Sequence, residues 1–286
     1  FLLDFCKEKQ IEMIVSLFDI DLLVLSKNKK LFEECGVRVL VSDENVVTIF
    51  NDKWKTYEFC LKNNIPVPKT YLSCFEAKKA VQHHEIELPV IVKPRWGMGS
   101  LGVYCAENIS EVDIFTQKCK LDIQNTYLKY EAVSDIDNCT IIQEKLSGEE
   151  YGIDIFNNLS GEYCGNVTKK KYSMRAGETD CAMVVKNELV DKFAYVLGNT
   201  LRHIANLDVD IFINEGKIFL LEMNARFGGG YPFSHLAGIN LPRAIIKWIN
   251  NEKLTDELII KKWNQVIQKD IKFVNLSESE EQVLNI

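Results

Sequence analysis

The sequence lacks the features of membrane-spanning proteins and of disulfide or zinc scaffolds. Among its 286 residues, no apolar run reaches the roughly 20 residues that cross a bilayer. None of its nine cysteines forms a Cys-x-x-Cys pair, and their scatter through apolar segments predicts reduced thiols and a cytoplasmic location. An excess of positive charge is also missing, because 34 Lys+Arg stand against 41 Asp+Glu. We therefore expect neither a nucleic acid nor a membrane as partner.

The sequence does contain enough apolar residues for a core, at 47% hydrophobic and 26% charged residues. The chain begins at Phe1 within a helical pattern and has no signal peptide, so we expect a preceding segment to be missing. A helix over 22–35, a stop at Gly36 and a short strand over 37–41 indicate β–α alternation and a parallel sheet. This pattern predicts a mixed α/β (α+β) fold with a small front domain over 1–50.

The most informative segment runs from Leu207 to Gly230 and predicts two strands joined at Gly216. A three-residue loop, 215–217, would place Asp208 opposite Asn224, Asp210 opposite Glu222 and Phe212 opposite Leu220. The other face would then be wholly apolar, with the following residues: Val209, Ile211, Ile213, Phe219, Leu221 and Met223.

Opposed carboxylates repel each other across a sheet, so a cation is expected between Asp210 and Glu222. Carboxylate and amide oxygens are the hard ligands that Mg²⁺ prefers. The alternative is a solvated hairpin face with a lysine or arginine nearby. Arg226, two residues beyond Asn224, is a candidate for holding a phosphate or an oxyanion.

Two lysines are candidate phosphate ligands. Lys93 ends a predicted strand and precedes a loop with Gly97, Gly99 and Gly102, where backbone N–H groups can approach a phosphate closely. Lys53 lies in the first turn of a predicted helix over 51–64. The alternatives are an ordinary hairpin turn for the glycines and an exposed lysine for Lys53. The basic run over 169–171 is typical of a solvated turn.

Four segments occur together in one order: NDKW, VIVKPRWGMGSLGV, IIQEKLSGEEYGID and IFLLEMNARFGGG. This combination resembles the ATP-grasp superfamily, and most closely the module of carbamoyl-phosphate synthase large subunits, over about residues 37–250. The resemblance implies an ATP-grasp fold with a truncated N-terminal Rossmann-like (pre-ATP-grasp) domain. It divides the chain into a front remnant (1–50), linker helices (51–88), an N-subdomain with a phosphate flap (89–147), a C-subdomain with a metal site (148–255) and a tail (256–286).

The resemblance also implies a role for individual residues. The resemblance assigns the phosphate contacts to Lys53, to Lys93 and to a flap over 96–102 that includes Gly97, Gly99 and Ser100. The adenine would meet Glu144, Lys145 and Leu146, and the ribose Glu150. The metal ligands would be Asp210, Glu222 and Asn224, although the family often has Gln or Glu in place of Asp210. Catalysis would fall to Arg226, to Lys93, and to Arg175, which is expected in a loop near the γ-phosphate.

The activity implied by the resemblance is that of an ADP-forming ligase that uses ATP and Mg²⁺, or Mn²⁺ in its place. It would phosphorylate a small-molecule carboxylate, or bicarbonate, to an acyl phosphate and couple this to an amine or ammonia, as a monomer or a homodimer. Two alternatives stay open. One is a non-catalytic ATP-binding module, and the other is the bicarbonate-phosphorylating subunit of a split carbamoyl-phosphate synthase.

Overall fold

The chain folds around three β-sheets in a computed structural model that describes residues 1–271. The first sheet has two parallel strands, as the β–α alternation predicted. Its elements are α1 (Leu2–Glu8), β1 (Met13–Ile14), α2 (Asp19–Glu33), β2 (Arg38–Val39) and α3 (Glu44–Asn51). Leu22, Phe32, Val39 and Val47 form part of their common core. This front unit ends next to the cleft described below.

The helix predicted over 51–64 is α4 (Lys53–Lys62), and Asp52 separates it from the preceding helix α3. Asp52 has extended backbone angles, and its side chain accepts hydrogen bonds from the backbone N–H groups of Trp54 and Lys55. An aspartate is a strong N-cap residue, so it starts a new helix here. Lys53 is consequently the first residue of α4.

The second sheet has four antiparallel strands in the order β3–β6–β4–β5. Its strands and helices are β3 (Thr70–Tyr71), α5 (Cys74–Gln82), β4 (Val90–Pro94), β5 (Tyr104–Ala106), α6 (Ile109–Asn125), α7 (Lys129–Ala132) and β6 (Thr140–Glu144). Val90, Val92 and Ile142 are fully buried against the helices. Lys93 therefore follows a rigid, buried stretch of strand.

The third sheet has six strands in the order β11–β10–β7–β8–β9–β12. Its elements are β7 (Glu149–Asn157), β8 (Tyr163–Arg175), β9 (Glu178–Val185), α8 (Glu188–Leu201), β10 (Ala205–Asn214), β11 (Lys217–Asn224), α9 (Tyr231–Leu236), α10 (Leu241–Ile249) and β12 (Val266–Gln268). Helix α8 ends at Leu201, because Arg202 adopts a left-handed conformation and β10 begins at Ala205.

The predicted register of β10 and β11 is correct at its functional end and shifted by one residue near the turn. Asp208 pairs with Asn224 and Asp210 with Glu222, but Phe212 pairs with Phe219. The turn has two residues, Glu215 and Gly216, both with positive φ, which matches the twist of a tight hairpin. A bulge beyond Asp210 compensates for the shorter turn.

The bulge corrects the predicted assignment of faces in β11. Ile218 and Leu220 are buried in the core with Val209 and Ile211, while Phe219 and Leu221 are only partly buried. Leu221 lines the cleft together with Phe212. The apolar residue of β11 beside the acidic face is therefore Leu221 and not Leu220.

Two further predictions are corrected in the C-terminal half. The segment expected as a loop around Arg175 is the tip of the β8–β9 hairpin. The segment expected as a tail from 256 contributes β12, which pairs with β9, and a buried Glu257; residues 272–286 of that tail lie outside the described residues. All nine cysteines are free thiols. Within residues 1–271, no helix combines the length and apolar character needed to cross a membrane.

Candidate active site

A cleft of about 700 Å³ lies between the four-stranded and the six-stranded sheet. The structure brings all the predicted site residues except Arg175 together along its walls. Those residues are Lys53, Lys93, Gly97, Gly99, Ser100, Glu144, Lys145, Leu146, Glu150, Asp210, Glu222, Asn224 and Arg226. The front unit also contributes Leu17, Phe18 and Asp19. Segments distant in sequence therefore meet in one place, mainly through strand ends.

The floor of the cleft is the polar face of the β10–β11 hairpin. Lys53 Nζ lies 3.8 Å from Glu222 Oε1, and Asn224 donates a 3.4 Å hydrogen bond to the same oxygen. Burial alone would raise the pKa of Glu222, but the charges of Lys53 and Lys93 and the hydrogen bond from Asn224 hold it below its usual value. Glu222 is therefore an ionised carboxylate in the free protein.

Lys93 is a buried cation of the cleft that has no carboxylate partner in the described part of the chain. Its side chain is only 7% exposed, and within the described part of the chain no carboxylate oxygen lies within 4 Å of its Nζ. Burial lowers its pKa to about 8, although Glu222 opposes that effect. A lysine side chain buried without a carboxylate partner is costly, so this position favours an anionic ligand in the cleft.

Asp210 belongs to a separate ion-pair cluster across the hairpin from Glu222. Lys171 Nζ lies 2.7 Å from Asp210 and 2.7 Å from Glu150. Burial raises the pKa of Asp210 to about 6, even though Lys171 counteracts it. Burial would lower the pKa of Lys171, but the two carboxylates raise it instead. A metal ion bound to Asp210 would therefore share this carboxylate with Lys171.

The oxygen donors on the polar face of the hairpin would form a complete metal site only together with oxygens from a ligand. Asp210, Glu222 and Asn224 offer carboxylate and amide oxygens, which suit a hard divalent cation. Within residues 1–271 no group of three or more His, Cys, Asp or Glu side chains is arranged to hold a metal ion by itself. A cation here would therefore take further oxygens from a bound phosphate or from water, as Mg²⁺ commonly does.

The glycine-rich segment over 96–102, which we call the flap, covers one side of the cleft. Gly97, Gly99, Ser100 and Gly102 all have positive φ, so the backbone turns sharply several times. Lys53 donates a 2.6 Å hydrogen bond to the carbonyl oxygen of Gly97. The flap is thus connected to the acidic floor through Lys53.

The connection between the two sheets lines the opposite end of the cleft. Glu144 is tied to Lys69 by a backbone hydrogen bond and by a second bond to its side chain, at 2.9 and 3.1 Å. Lys145 donates to Cys105 Sγ at 3.6 Å, and Leu146 completes the lining. With Ile91, Phe212 and Leu221 nearby, this end of the cleft is apolar enough for a flat ring.

Arg226 is held from two sides by carboxylates. It donates to Asp19 at 2.9 and 3.1 Å and to Asp208 at 3.1 Å. Burial would lower the pKa of Arg226, but Asp19 and Asp208 raise it, so its charge is fixed. Asp19 begins α2 of the front unit, whereas Asp208 lies on β10. Arg226 therefore connects the front unit to the sheet.

Arg175 does not line the cleft, in contrast to the prediction. It lies at the tip of the β8–β9 hairpin, where its half-exposed guanidinium pairs with Asp180. The prediction placed it in an irregular loop. The segment is instead a regular strand end, and the partner on β9 directs Arg175 along the hairpin.

The cleft lining also includes residues that were not predicted as site residues, among them Lys169, Lys171 and Asp19. Lys169 is 2% exposed and lies 2.6 Å from the fully buried Asp154. The basic run is part of a strand, in which Lys169 and Lys171 share the inner face and Lys170 points away, paired with Glu149. Alternation along an extended segment was the available signal. For Asp19, nothing in its local sequence indicates a role.

Sequence comparison finds relatives among ligases and synthases. The chain is 19% identical over 242 residues to a carbamoyl phosphate synthase large chain of Pseudothermotoga lettingae, an alignment covering 81% of this chain and 21% of that protein. It is 24% identical over 222 residues to a probable alpha-L-glutamate ligase of Haemophilus influenzae, covering 76% of this chain and 69% of that protein. The chain thus spans about a fifth of the length of the first relative.

Structural comparison finds solved structures whose fold is similar to that of this chain. The biotin carboxylase domain of the Hydrogenobacter thermophilus 2-oxoglutarate carboxylase, solved with MgADP, ADP and bicarbonate, superposes with a TM-score of 0.73 at 15% identity, over 93% of this chain and 59% of that chain. The family model described as ATP-grasp domain matches residues 86–232, just over half of the chain. The matched range contains Lys93, the flap, Asp210, Glu222 and Arg226. This chain belongs to the ATP-grasp family.

Proposed function

We propose that this protein is an ATP-dependent carboxylate–amine ligase that works through an acyl phosphate. The observation that carries the proposal is Lys93, a buried cation without a partner in the described residues, beside an ionised Glu222 in one cleft. A nucleotide polyphosphate with a divalent cation satisfies both: its oxygens compensate Lys93, and the cation compensates Glu222 and Asp210. The likeness to ligases and synthases supports the same reaction class.

In this proposal ATP and Mg²⁺ are the cofactors. Lys53, Lys93 and the flap hold the phosphates, while Glu144, Lys145 and Leu146 hold the adenine and Glu150 the ribose. Asp210, Glu222 and Asn224 hold Mg²⁺, which offsets the charge of the phosphates when bound. Residues 89–147 and 148–255 are the two subdomains that enclose the nucleotide, with 1–50 closing the far end of the cleft and 51–88 linking 1–50 to 89–147. Arg175 is not assigned a role.

The reaction needs two balanced steps. An oxygen of the substrate carboxylate attacks the γ-phosphorus, the bond to the β-phosphate oxygen breaks, and ADP leaves. The amine nitrogen then attacks the acyl carbon, the acyl–oxygen bond breaks, the nitrogen loses a proton to the departing phosphate, and inorganic phosphate leaves with an amide as product. Arg226, oriented by Asp19 and Asp208, provides a fixed positive charge for the oxyanions of both steps. The flap excludes water, which would otherwise hydrolyse the acyl phosphate.

The test is ADP formation with a panel of small carboxylates and bicarbonate, with hydroxylamine trapping the acyl phosphate as a hydroxamate. We expect carboxylate-dependent ADP and hydroxamate from the wild type. Glu222→Gln should lower both by about 100-fold or more. Glu215→Gln, in the exposed turn of the same hairpin, is the matched control and should keep wild-type rates.

Two other outcomes would indicate a different function, and a third would overturn the assignment of the acidic face. Calorimetric binding of ATP without ADP formation for any carboxylate or bicarbonate would indicate a non-catalytic nucleotide-binding module. ADP formation that depends on bicarbonate and on no other acid would indicate the bicarbonate-phosphorylating subunit. Undiminished ADP formation in Glu222→Gln would overturn the assignment of the acidic face.

A further inference from the structure

Two turns meet above the cleft at a distance that only glycine permits. One is the flap, and the other is the tip of the β8–β9 hairpin, residues 175–178, which we call the hairpin tip. A Cβ atom added to Gly177 would lie 2.7 Å from the Gly99 carbonyl carbon and 2.8 Å from Ser100 Oγ. Real Cβ contacts are not that short, so the two backbones touch because position 177 has no side chain.

The contact joins both sides of the cleft. The flap belongs to the loop after β4 of the four-stranded sheet, and the hairpin tip belongs to the six-stranded sheet. Gly99, Ser100, Gly177 and Glu178 all line the cleft, so their contact forms part of its roof. The backbone of Gly177 has a φ of +80°, a conformation that a hairpin turn needs and that glycine adopts freely.

From this contact, a continuous path leads to the floor of the cleft. The flap carbonyl of Gly97 accepts the hydrogen bond of Lys53, whose Nζ lies 3.8 Å from Glu222. On the other side, a Cβ on Gly229 would lie 3.2 Å from the Glu178 carboxylate, so the hairpin tip also contacts the glycine loop after Arg226. Lys269 also contacts the hairpin tip, through a 2.9 Å ion pair with Glu178.

We propose that Gly177 is a positioning residue for closure: its bare backbone lets the flap dock on the hairpin tip, and the docked pair shields the acyl phosphate from water. The inference rests on the proposed function. Two fates compete for the acyl phosphate. Attack by an amine gives an amide and phosphate, whereas attack by water returns the carboxylate and phosphate, so that ATP is consumed without product. If the flap is not docked on the hairpin tip, water enters the cleft. The yield of amide per ADP is then lower, while the rate of ADP formation is unchanged.

The experiment compares Gly177→Ala with Gly216→Ala. Both glycines occupy hairpin turns with nearly the same φ, +80° and +75°, but a Cβ on Gly216 meets nothing within 4 Å. The cost of a positive φ is therefore common to both variants, and the collision with the flap belongs to Gly177→Ala alone. Gly177→Asn is a second variant, because asparagine tolerates the left-handed conformation better while its Cβ causes the same collision.

The first measurement is the ratio of hydroxamate to ADP. We expect both Gly177 variants to lower this ratio several-fold while ADP formation continues, and Gly216→Ala to match the wild type. An unchanged ratio in a folded Gly177→Asn variant, verified by its thermal melt, would overturn the proposal.

The second measurement does not need turnover, so it separates this proposal from the proposed function. Trypsin cleavage after the half-exposed Arg175 is followed by mass spectrometry with and without a non-hydrolysable ATP analogue and Mg²⁺, relative to cleavage of the denatured protein. Docking of the flap should slow this cleavage in the wild type and in Gly216→Ala, and not in the Gly177 variants. Equal protection in all variants contradicts the role of Gly177, whereas absence of hydroxamate from the wild type contradicts only the ligase reaction.

Discussion

Two buried lysines in the same cleft should respond in opposite directions to the same substitution. Lys93 and Lys169 are 7% and 2% exposed, respectively. Lys169 lies 2.6 Å from Asp154, whereas Lys93 has no carboxylate within 4 Å among the described residues. Replacing each by methionine keeps the length of the side chain and removes the charge. We expect Lys93→Met to stabilise the ligand-free protein and Lys169→Met to destabilise it.

The magnitude for Lys93 follows from its pKa, which burial lowers from 10.5 to about 8. One pKa unit corresponds to about 1.4 kcal/mol, so folding with the charged form costs about 3 kcal/mol. Because the pKa is lowered in the folded state, this cost is complete below pH 8, decreases as the pH rises from 8 to 10.5, and is absent above. Lys93→Met should therefore raise the free energy of unfolding by about 2–3 kcal/mol at pH 7, and by clearly less at pH 10.

The magnitude for Lys169 follows from its partner. Its removal leaves Asp154, which is fully buried, with the hydroxyl of Ser234 and the amide of Asn206 as its remaining side-chain donors among residues 1–271. Breaking a buried ion pair by removing one member costs about 3–5 kcal/mol. Lys169→Met should lower the free energy of unfolding by about that amount.

The assay is urea unfolding of the wild type and both variants at pH 7 and pH 10, without ligand and with ATP and Mg²⁺. Lys93→Met should lose the stabilisation by nucleotide that the wild type shows. The reasoning is refuted if Lys93→Met is less stable than the wild type at pH 7 without ligand, because Lys93 would then be well compensated in the free cleft.

Two further predictions concern the supports of the site. Burial raises the pKa of Asp210 to about 6, so a proton should compete with the metal ion below that pH; calorimetric titration with Mg²⁺ and ADP should show weaker metal binding at pH 5.5 than at pH 7.5, and equal affinities would contradict a ligand role for Asp210. Arg95 donates two 2.7 Å hydrogen bonds to Asp52, which caps the helix that begins at Lys53. Arg95→Met should lower the free energy of unfolding by about 3–5 kcal/mol and weaken ATP binding, whereas Lys55→Met on the exposed side of the same helix should change neither.

The acidic face of the candidate site could be predicted because it depends on local rules, whereas the residues assigned to the adenine and the ribose came from the family resemblance. The alternation of apolar and polar residues in 207–224 identified the acidic face, since any other register at Asp208 and Asp210 would bury carboxylates in the core. The turn was predicted one residue too long, and the bulge that compensates for it has no signal in composition. Both errors fall on Phe212, Phe219 and Leu221, away from the residues whose pairing burial enforces.

The residues that could not be predicted depend on partners distant in sequence. Asp19 reaches Arg226 only because the front unit packs against the end of the six-stranded sheet. Arg175 was expected near the γ-phosphate only from the family resemblance, but the pairing of β8 with β9 places it at the tip of their hairpin. Such positions follow from tertiary packing, which the periodicity of one segment does not contain.

The cations of the cleft differ in whether they already have a carboxylate partner, and this difference explains how ligands can assist one another. Lys169 and Lys171 are each paired with a carboxylate in the free protein, so they are positioned without attracting an anion strongly. Lys171, however, shares Asp210 with the metal site that we propose. A divalent cation that binds Asp210 weakens the attraction between that carboxylate and Lys171, whose ammonium group then becomes available to phosphate oxygens. Metal and nucleotide should therefore each strengthen the binding of the other, beyond their direct contact, because both act on the same ion pair.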